Sequence, residues 1–357
     1  MRLYIKERTH FLWGRLCGNN EFLSRLTLVG FFVIIVAYSL HIFHVMPLSI
    51  STGLFHAQVA DSPVSERRYW EREIDELGPE KAYQVFKDMY AKIGITKAHT
   101  KAHIFGEALF NKRGLEGAHI CDEAYNYGCY HSFFAKTIGA YGVSILPILS
   151  EECGKKRNPG VCLHGIGHGL QWYFGDEHLL ESLSECSKIP AKNPVVGCGS
   201  GVFMEYNMRN AEDPALVQIR PPDGDHLQSP CDKVPRKYGQ ACYFEQPRWW
   251  DQLFKHDYQK IRDLCEEVKD ESLRETCFFG LGHIEVATQK NGYDVAHAIA
   301  GCTLAPDRRA LVACRSGVAW SFFVIPEVAE KYPLICEEGL SVDEKSQCMN
   351  FALFFNE

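Results

Sequence analysis

Residues 277–302 of this 357-residue chain read CFFGLGHIEVATQKNGYDVAHAIAGC and contain the pattern on which the fold depends. A glycine-containing helix is indicated first, then a Gly-Tyr-Asp turn, then an alanine-rich helix, because apolar residues recur at three- and four-residue spacing. A cysteine stands at each end. Two short helices cannot bury their apolar faces alone, so such a unit must pack against neighbours of the same kind.

The pattern recurs along the chain with a period of about 35 residues, which is typical of helical repeat arrays. Further first helices begin with CYHSFFAKTIGAYG, CLHGIGHGLQWYFGD, CGSGVFMEYN, CYFEQPRWWDQLF, CRSGVAWSFFV and CMNFALFF. We therefore predict an all-α fold over residues 65–357, an array of antiparallel helical hairpins that forms an open solenoid or a closed toroid. A cysteine-free group of helices precedes the array at residues 65–77, 79–93 and 98–112, and residues 211–230 form a loop insertion rich in Pro and Asp.

The period and the turn placement resemble those of Sel1-like and tetratricopeptide-type helical repeat proteins, especially the cysteine-rich Sel1-like proteins. The resemblance covers residues 78–355 and implies a scaffold that binds a peptide or a protein. It carries over no site residue. The chain departs from the pattern where residues 199–241 contain an insertion, and where Trp249 and Trp250 replace small residues.

Fourteen of the fifteen cysteines fall into adjacent pairs with steps of 8 to 12 residues. The pairs are Cys121 and Cys129, Cys153 and Cys162, Cys186 and Cys198, Cys231 and Cys242, Cys265 and Cys277, Cys302 and Cys314, and Cys336 and Cys348. A connectivity that joins the two ends of one hairpin, such as Cys129 with Cys153, is formally open. It would leave Cys121 and Cys348 without partners, whereas adjacent pairing leaves only Cys17. We predict seven disulfides rather than structural zinc sites, since no close C-x2-4-C spacing occurs.

The N-terminal region predicts the topology. Residues 27–46 (TLVGFFVIIVAYSLHIFHVM) contain no Asp, Glu, Lys or Arg and are long enough to span a bilayer as a helix. Residues 1–26 are rich in Arg and Lys, which predicts a cytoplasmic tail, an uncleaved signal anchor and a linker over residues 47–64. The alternative is a cleaved signal peptide. The C-terminal domain then lies in the bacterial periplasm or another oxidising compartment, and Cys17 lies in the reducing cytoplasm.

Candidate metal ligands cluster on the first helices. His164 and His168 have the i, i+4 spacing that places two imidazoles on one helix face, where they can chelate one ion. Equivalent positions in other units, together with nearby residues, extend the predicted ligand set to His283, His103, Glu107 and His131. Such histidines more often form hydrogen bonds in a core, and the alternative is a site for a divalent transition metal such as Zn, Fe or Cu.

Two further residue types are expected to serve packing. Helix-interior glycines lower helix stability, so we expect them where helices approach closely. These are Gly165, Gly167, Gly169, Gly280 and Gly282. Aromatic residues at helical spacing are expected in the core. These are Trp172, Tyr173, Trp249, Trp250 and Trp320.

Three functions are compatible with these patterns. The first is a non-catalytic, membrane-anchored module that binds an exported protein or peptide partner. The second is a metal-dependent enzyme that uses the histidine cluster, and the third is metal storage or delivery. The net charge of -7 argues against a nucleic-acid partner. The sequence contains no motif of a known catalytic centre that would decide between an enzyme and a binding protein.

Overall fold

The computed structural model describes residues 62–190, 193–209, 217–287, 294–325 and 328–353. The predicted tail, the predicted membrane span at residues 27–46 and most of the linker lie outside these residues. Among the described helices, none alone has the length and apolar character needed to cross a bilayer. One sharply bent pair, Gly128–Tyr141 with Val143–Gly154, meets that test by length and composition together.

The described residues fold as α-helices with one short strand pair, which confirms the predicted all-α class. The first seven helices are α1 Pro63–Leu77, α2 Pro79–Tyr90, α3 Ile95–Arg113, α4 Gly128–Tyr141, α5 Leu146–Gly154, α6 Pro159–Phe174 and α7 Leu179–Cys186. The others are α8 Cys198–Asn207, α9 Gly239–Phe254, α10 Tyr258–Glu266, α11 Glu271–Ala287, α12 Val295–Ala300, α13 Arg308–Val324, α14 Tyr332–Glu337 and α15 Val342–Leu353. Strands β1 Met208–Arg209 and β2 Gln218–Ile219 pair in antiparallel orientation.

Local capping explains where several helices begin. At α1 the side chain of Ser62 accepts a hydrogen bond from the Ser65 amide at 3.3 Å, and Pro63 occupies the first turn. Asp307 caps α13 in the same way, since it accepts from the Ala310 amide at 2.9 Å. These contacts satisfy amide groups that the first helical turn leaves without an intrahelical partner.

The longer helices pack in succession. Helices α1, α3, α4, α6, α8, α9, α11, α13 and α15 each contact the next member of this series. The shorter helices α5, α7, α10, α12 and α14 lie between consecutive members along the chain. This order brings side chains of α3, α4 and α6 next to one another, and those of α9, α11 and α13 likewise.

Glycines permit the closest of these helix contacts. A methyl group on Gly167 of α6 would lie 2.0 Å from the carbonyl oxygen of Cys198, and one on Gly201 of α8 would lie 1.9 Å from that of His164. The same reciprocal arrangement joins α11 and α13, where Gly282 faces the Cys314 carbonyl. The prediction that helix-interior glycines serve close helix packing is confirmed at these positions.

All seven predicted disulfides are present. They join the adjacent pairs Cys121–Cys129, Cys153–Cys162, Cys186–Cys198, Cys231–Cys242, Cys265–Cys277, Cys302–Cys314 and Cys336–Cys348. Five of them connect a short helix, or the turn that ends it, to the longer helix that follows. Each disulfide closes a short loop, so together they fix the succession of helices.

The described part of the insertion packs on α9. Arg220 lies with its guanidinium 4.1 Å from the ring centroid of Trp249, and its carbonyl oxygen accepts a hydrogen bond from Trp249 Nε1 at 2.8 Å. Trp250 Nε1 donates to the Leu227 carbonyl at 2.8 Å. The two tryptophans that depart from the repeat pattern therefore hold the insertion in place.

The aromatic prediction is confirmed in part. Trp249, Trp250 and Trp320 are buried. The prediction is wrong for Trp172 and Tyr173, which are each 43% exposed. Both stand at the C-terminal end of α6, beyond the part of the helix that its neighbours cover.

Candidate metal centre

Five imidazoles lie together on three consecutive members of the helix succession. His99 and His103 belong to α3, His131 to α4, and His164 and His168 to α6. The ring centroid of His131 is 5.0 Å from that of His103 and 5.3 Å from that of His168. His131 thus lies between two i, i+4 histidine pairs. We call these five residues the histidine cluster.

The orientation of His99 is fixed by a backbone carbonyl. Its Nδ1 lies 2.7 Å from the carbonyl oxygen of Tyr125. A carbonyl oxygen only accepts, so Nδ1 carries the proton and Nε2 presents its lone pair. Tyr125 has a left-handed φ of 52°, and a methyl group on nearby Gly128 would lie 2.7 Å from the His99 carbonyl oxygen. The strained turn and the glycine let this backbone approach α3.

Three ring nitrogens converge at His103. Its Nε2 lies 3.1 Å from Nε2 of His99 and 3.2 Å from Nδ1 of His131. A ring nitrogen has either one hydrogen or one lone pair, so His103 cannot form a well-directed hydrogen bond with both neighbours. Ligands about 2.0–2.1 Å from a tetrahedral zinc ion are about 3.3 Å apart, close to these separations. The three residues can hold a metal ion.

The second histidine pair lies on α6. Nε2 of His164 and Nε2 of His168 are 3.0 Å apart. On the opposite side of each ring, His168 Nδ1 lies 3.1 Å from Glu205 Oε2 and His164 Nδ1 lies 2.8 Å from Ser200 Oγ. Outer partners of this kind fix the orientation of metal-binding imidazoles.

Burial favours the neutral form of four of the five imidazoles. Removal from water lowers the pKa of His99 to about 4 and lowers the pKa values of His103, His131 and His164 well below their usual range. The smaller contributions to these pKa values include the charges of neighbouring histidines. Neutral imidazoles are the protonation state that binds metals, so the cluster is prepared for a cation at neutral pH.

His283 occupies a different environment on α11. Arg248 Nη2 donates to its Nε2 at 2.7 Å, which leaves the proton on Nδ1, 2.7 Å from Ser321 Oγ. Ser321 in turn donates to the Gly317 carbonyl. The ring also lies against Phe244 and Trp320. Both nitrogens of His283 thus have protein partners.

Glu107 faces two cations rather than the imidazoles. Its Oε1 lies 3.1 Å from Arg67 Nη1 and 2.5 Å from Lys136 Nζ. Hydrogen bonds and charge from Lys136 and Arg67 outweigh the opposing effect of burial, so the pKa of this carboxyl is lowered.

The structure therefore brings together four of the six predicted ligands. These are His103, His131, His164 and His168. His99 was not predicted, although its spacing to His103 is the same i, i+4 spacing that singled out His164 and His168. The carbonyl of Tyr125 that orients His99 comes from another part of the chain, and no sequence pattern indicates it.

Comparison with models of known protein families gives no match for this chain, and comparisons with curated proteins and with solved structures give none either.

Proposed function

We propose that this protein binds a divalent transition-metal ion through His99, His103 and His131 in an oxidising, extracytoplasmic compartment. The observation that carries the proposal is the meeting of three ring nitrogens at His103 Nε2, at separations of 3.1 and 3.2 Å. A cation at the centre accepts all three lone pairs. If these nitrogens formed only hydrogen bonds with one another, His103 Nε2 could share a proton with His99 or with His131 but not with both.

The outer contacts support a metal-binding role. The Tyr125 carbonyl holds His99, and Ser132 Oγ lies 3.0 Å from His103 Nδ1. Three histidine ligands with an open fourth position are typical of zinc sites that also bind water or a small ligand, and imidazole suits copper and iron as well. His103 and His131 are buried whereas His99 is half-buried, so an ion would reach the site from the side of His99.

Cobalt(II), a coloured substitute for zinc, tests the proposal on the full-length chain purified in detergent. We expect one tightly bound ion at this site, with the visible absorption of tetrahedral coordination, and we expect His103→Gln to remove that ion and its contribution to the spectrum. His178→Gln is the matched control, because the His178 ring is exposed and its one polar side-chain contact among the described residues is with Glu181. An unchanged spectrum in a folded, fully disulfide-bonded His103→Gln protein would show that the ligands lie elsewhere.

The proposed compartment rests on the disulfides and on the N-terminal sequence. The chain contains seven disulfides. Disulfides persist in oxidising compartments and are rare in the cytosol. We infer that residues 27–46 anchor the chain in the lipid bilayer, with the helical domain on the outer side.

We propose partner binding as a second role, and an exposed aromatic surface favours it. Tyr141 is 50% exposed, and Trp172 and Tyr173 are each 43% exposed. Trp172 and Tyr173 lie against the C-terminal end of α4, the helix that carries Tyr141, since Trp172 approaches Gly139 and the Tyr173 hydroxyl approaches Gly142. Exposed Trp and Tyr are characteristic of surfaces that bind proteins or peptides. In this role the helical domain is a repeat scaffold like the Sel1-like proteins that the sequence resembles.

A photocrosslinking residue at position 172 tests this role in cells that express the full-length chain. We expect a defined covalent adduct from position 172 and none from position 342, where Val342 is 81% exposed on a different helix. Equal adducts from both positions, or no adduct from either, would remove the support for a specific partner surface.

A further inference from the structure

The second pair of the histidine cluster carries an inference beyond a single ion. His168 is 3% exposed, and its Nδ1 lies against the buried carboxylate of Glu205. A carboxylate accepts, so Nδ1 carries a proton, and in the neutral form of the ring Nε2 presents its lone pair. That lone pair is directed at His164, because the two Nε2 atoms are 3.0 Å apart.

The contacts of Ser200 likewise indicate which ring nitrogen of His164 carries the proton. Ser200 Oγ donates to the Gly197 carbonyl at 2.9 Å and accepts from the Gly197 amide at 3.1 Å. Its third contact, 2.8 Å from His164 Nδ1, is then one in which His164 donates. The proton of His164 is therefore also on Nδ1, and when His168 is neutral the two Nε2 lone pairs face each other, 3.0 Å apart.

We propose that His164 and His168 hold a second divalent transition-metal ion, so that the histidine cluster is a two-metal centre with His131 between the ions. With the two Nε2 atoms 3.0 Å apart and each about 2.05 Å from the ion, the N–metal–N angle is about 95°. The ion then has further coordination positions open to water or a small ligand. The inference rests on the proposed function only for the first ion, because Ser200 and Glu205 orient His164 and His168, whereas Tyr125 and Ser132 contact His99 and His103.

His131 lies between the two proposed ion positions. Its ring centroid lies 5.1 Å from that of His99 on one side and 5.9 Å from that of His164 on the other. A methyl group on Gly165 would lie 2.8 Å from His131 Cδ2, so this glycine lets α6 approach the ring. One imidazole would therefore lie beside both ions.

The plain alternative is a hydrogen bond between His164 and His168. It arises if His168 is protonated beside Glu205 and donates from Nε2 to His164. It also arises if the Ser200 hydroxyl turns from the Gly197 carbonyl to His164 Nδ1, because His164 then carries its proton on Nε2 and donates it to His168. This arrangement needs no ion. The number of bound ions distinguishes the two.

Equilibrium dialysis against Co²⁺, with the full-length chain in detergent, counts the ions. We expect two ions per wild-type chain, one in the His164→Gln/His168→Gln variant and one in His103→Gln. Glu205→Gln keeps a side chain of the same size but removes the negative charge that holds the His168 proton on Nδ1. We expect it to weaken the second ion by about 10- to 100-fold and to leave the first unchanged.

The outcomes separate the two proposals. One ion per wild-type chain that is lost in His103→Gln but kept in His164→Gln/His168→Gln overturns the second site and leaves the proposed function standing. One ion that is lost only in His164→Gln/His168→Gln overturns both the proposed first site and the two-metal centre. No bound ion overturns both proposals and leaves the hydrogen-bonded arrangement.

Discussion

At the scale of single residues, the partner of Nε2 decides whether an imidazole can bind a metal ion. His103 and His283 both have Nδ1 near a serine hydroxyl, at 3.0 Å and 2.7 Å. They differ at Nε2, where His103 meets two other imidazoles and His283 accepts a hydrogen bond from Arg248. A positively charged partner at Nε2 is incompatible with a metal at the same atom, so we assign the first ligand set without His283.

Replacement of the two serines tests this distinction. We expect Ser132→Ala to weaken Co²⁺ binding by about 10- to 100-fold, because outer hydrogen bonds orient ligating imidazoles. Ser321→Ala removes the equivalent contact at His283 and should leave Co²⁺ affinity unchanged. Titration of both variants by absorbance measures the effect, and a loss of affinity in Ser321→Ala would place His283 among the ligands.

The buried imidazoles also predict how stability depends on pH in the metal-free chain. Their pKa values are lowered in the folded state, to about 4 for His99, so the unfolded chain binds more protons below its own pKa of about 6.5. The free energy of unfolding should therefore fall as pH drops from about 6.5 towards 4, by up to about 1.4 kcal/mol per pH unit for each neutral imidazole.

Urea denaturation at pH 7.5 and pH 5.5, with the disulfides intact, measures this dependence. His131→Gln removes one buried imidazole and should reduce the difference between the two pH values. Equal stability at both values would contradict the assignment of a buried, neutral cluster.

Residue spacing in the sequence predicted only part of the candidate site. Four members of the histidine cluster could be predicted because their spacing places them on one helix face at equivalent positions of neighbouring units. Glu107 occupies the position equivalent to His168, but in the structure it pairs with Arg67 and Lys136, which come from other helices. Such tertiary partners decide the role of a polar side chain, and periodicity does not reveal them.

At the scale of secondary-structure elements, glycine pairs set the distance between consecutive helices. Gly167 and Gly201 let α6 and α8 approach closely. A methyl group added at either glycine would lie within 2.0 Å of a backbone carbonyl oxygen on the facing helix. The close packing of α6 and α8 in turn positions Glu205 against His168 and Ser200 against His164. Packing and site geometry therefore depend on the same contacts.

Gly167→Ala should be strongly destabilising. The added methyl group would meet backbone atoms that cannot move independently, so we expect a loss of about 3 kcal/mol, the upper end for overpacked cores. Gly154→Ala is the matched control, since a methyl group there meets nothing within 4 Å and alanine favours the helix. Urea denaturation compares the two, and equal stability would contradict the close approach of α6 and α8.

The elements themselves were largely predictable. Three helices were expected at residues 65–77, 79–93 and 98–112, and α1, α2 and α3 lie there. Their amphipathic periodicity is a local signal. The exposure of Trp172 and Tyr173 was not predictable, because helical spacing does not say how far along a helix the neighbouring helix extends.

At the scale of the whole molecule, disulfide pairing was the most predictable feature. Adjacent pairing gives a partner to all fourteen cysteines from Cys121 to Cys348, whereas pairing across single hairpins would leave two of them without one. The seven observed disulfides follow the adjacent pairing. A loop of 12 residues closed by a disulfide gains about 3 kcal/mol from the reduced entropy of the unfolded chain. The helices are thereby joined in a fixed order, which suits a site assembled from three of them.

The proposed topology predicts a difference between Cys17 and the other fourteen cysteines. In intact cells a membrane-impermeant thiol reagent should label none of them, because Cys17 faces the cytoplasm and the others form disulfides. After permeabilisation it should label Cys17 alone, and a Cys17→Ser variant should remain unlabelled. Labelling of Cys17 in intact cells would contradict the predicted orientation.

The central claim is that the histidine cluster holds metal, and the metal content of the isolated protein tests it most directly. The full-length chain, purified without chelators from cells in which all seven disulfides form, should contain at least one equivalent of Zn, Cu or Fe by elemental analysis. His99→Gln purified in parallel should contain less. A wild-type protein with native disulfides that contains no transition metal, and takes up none when it is supplied, would contradict the claim.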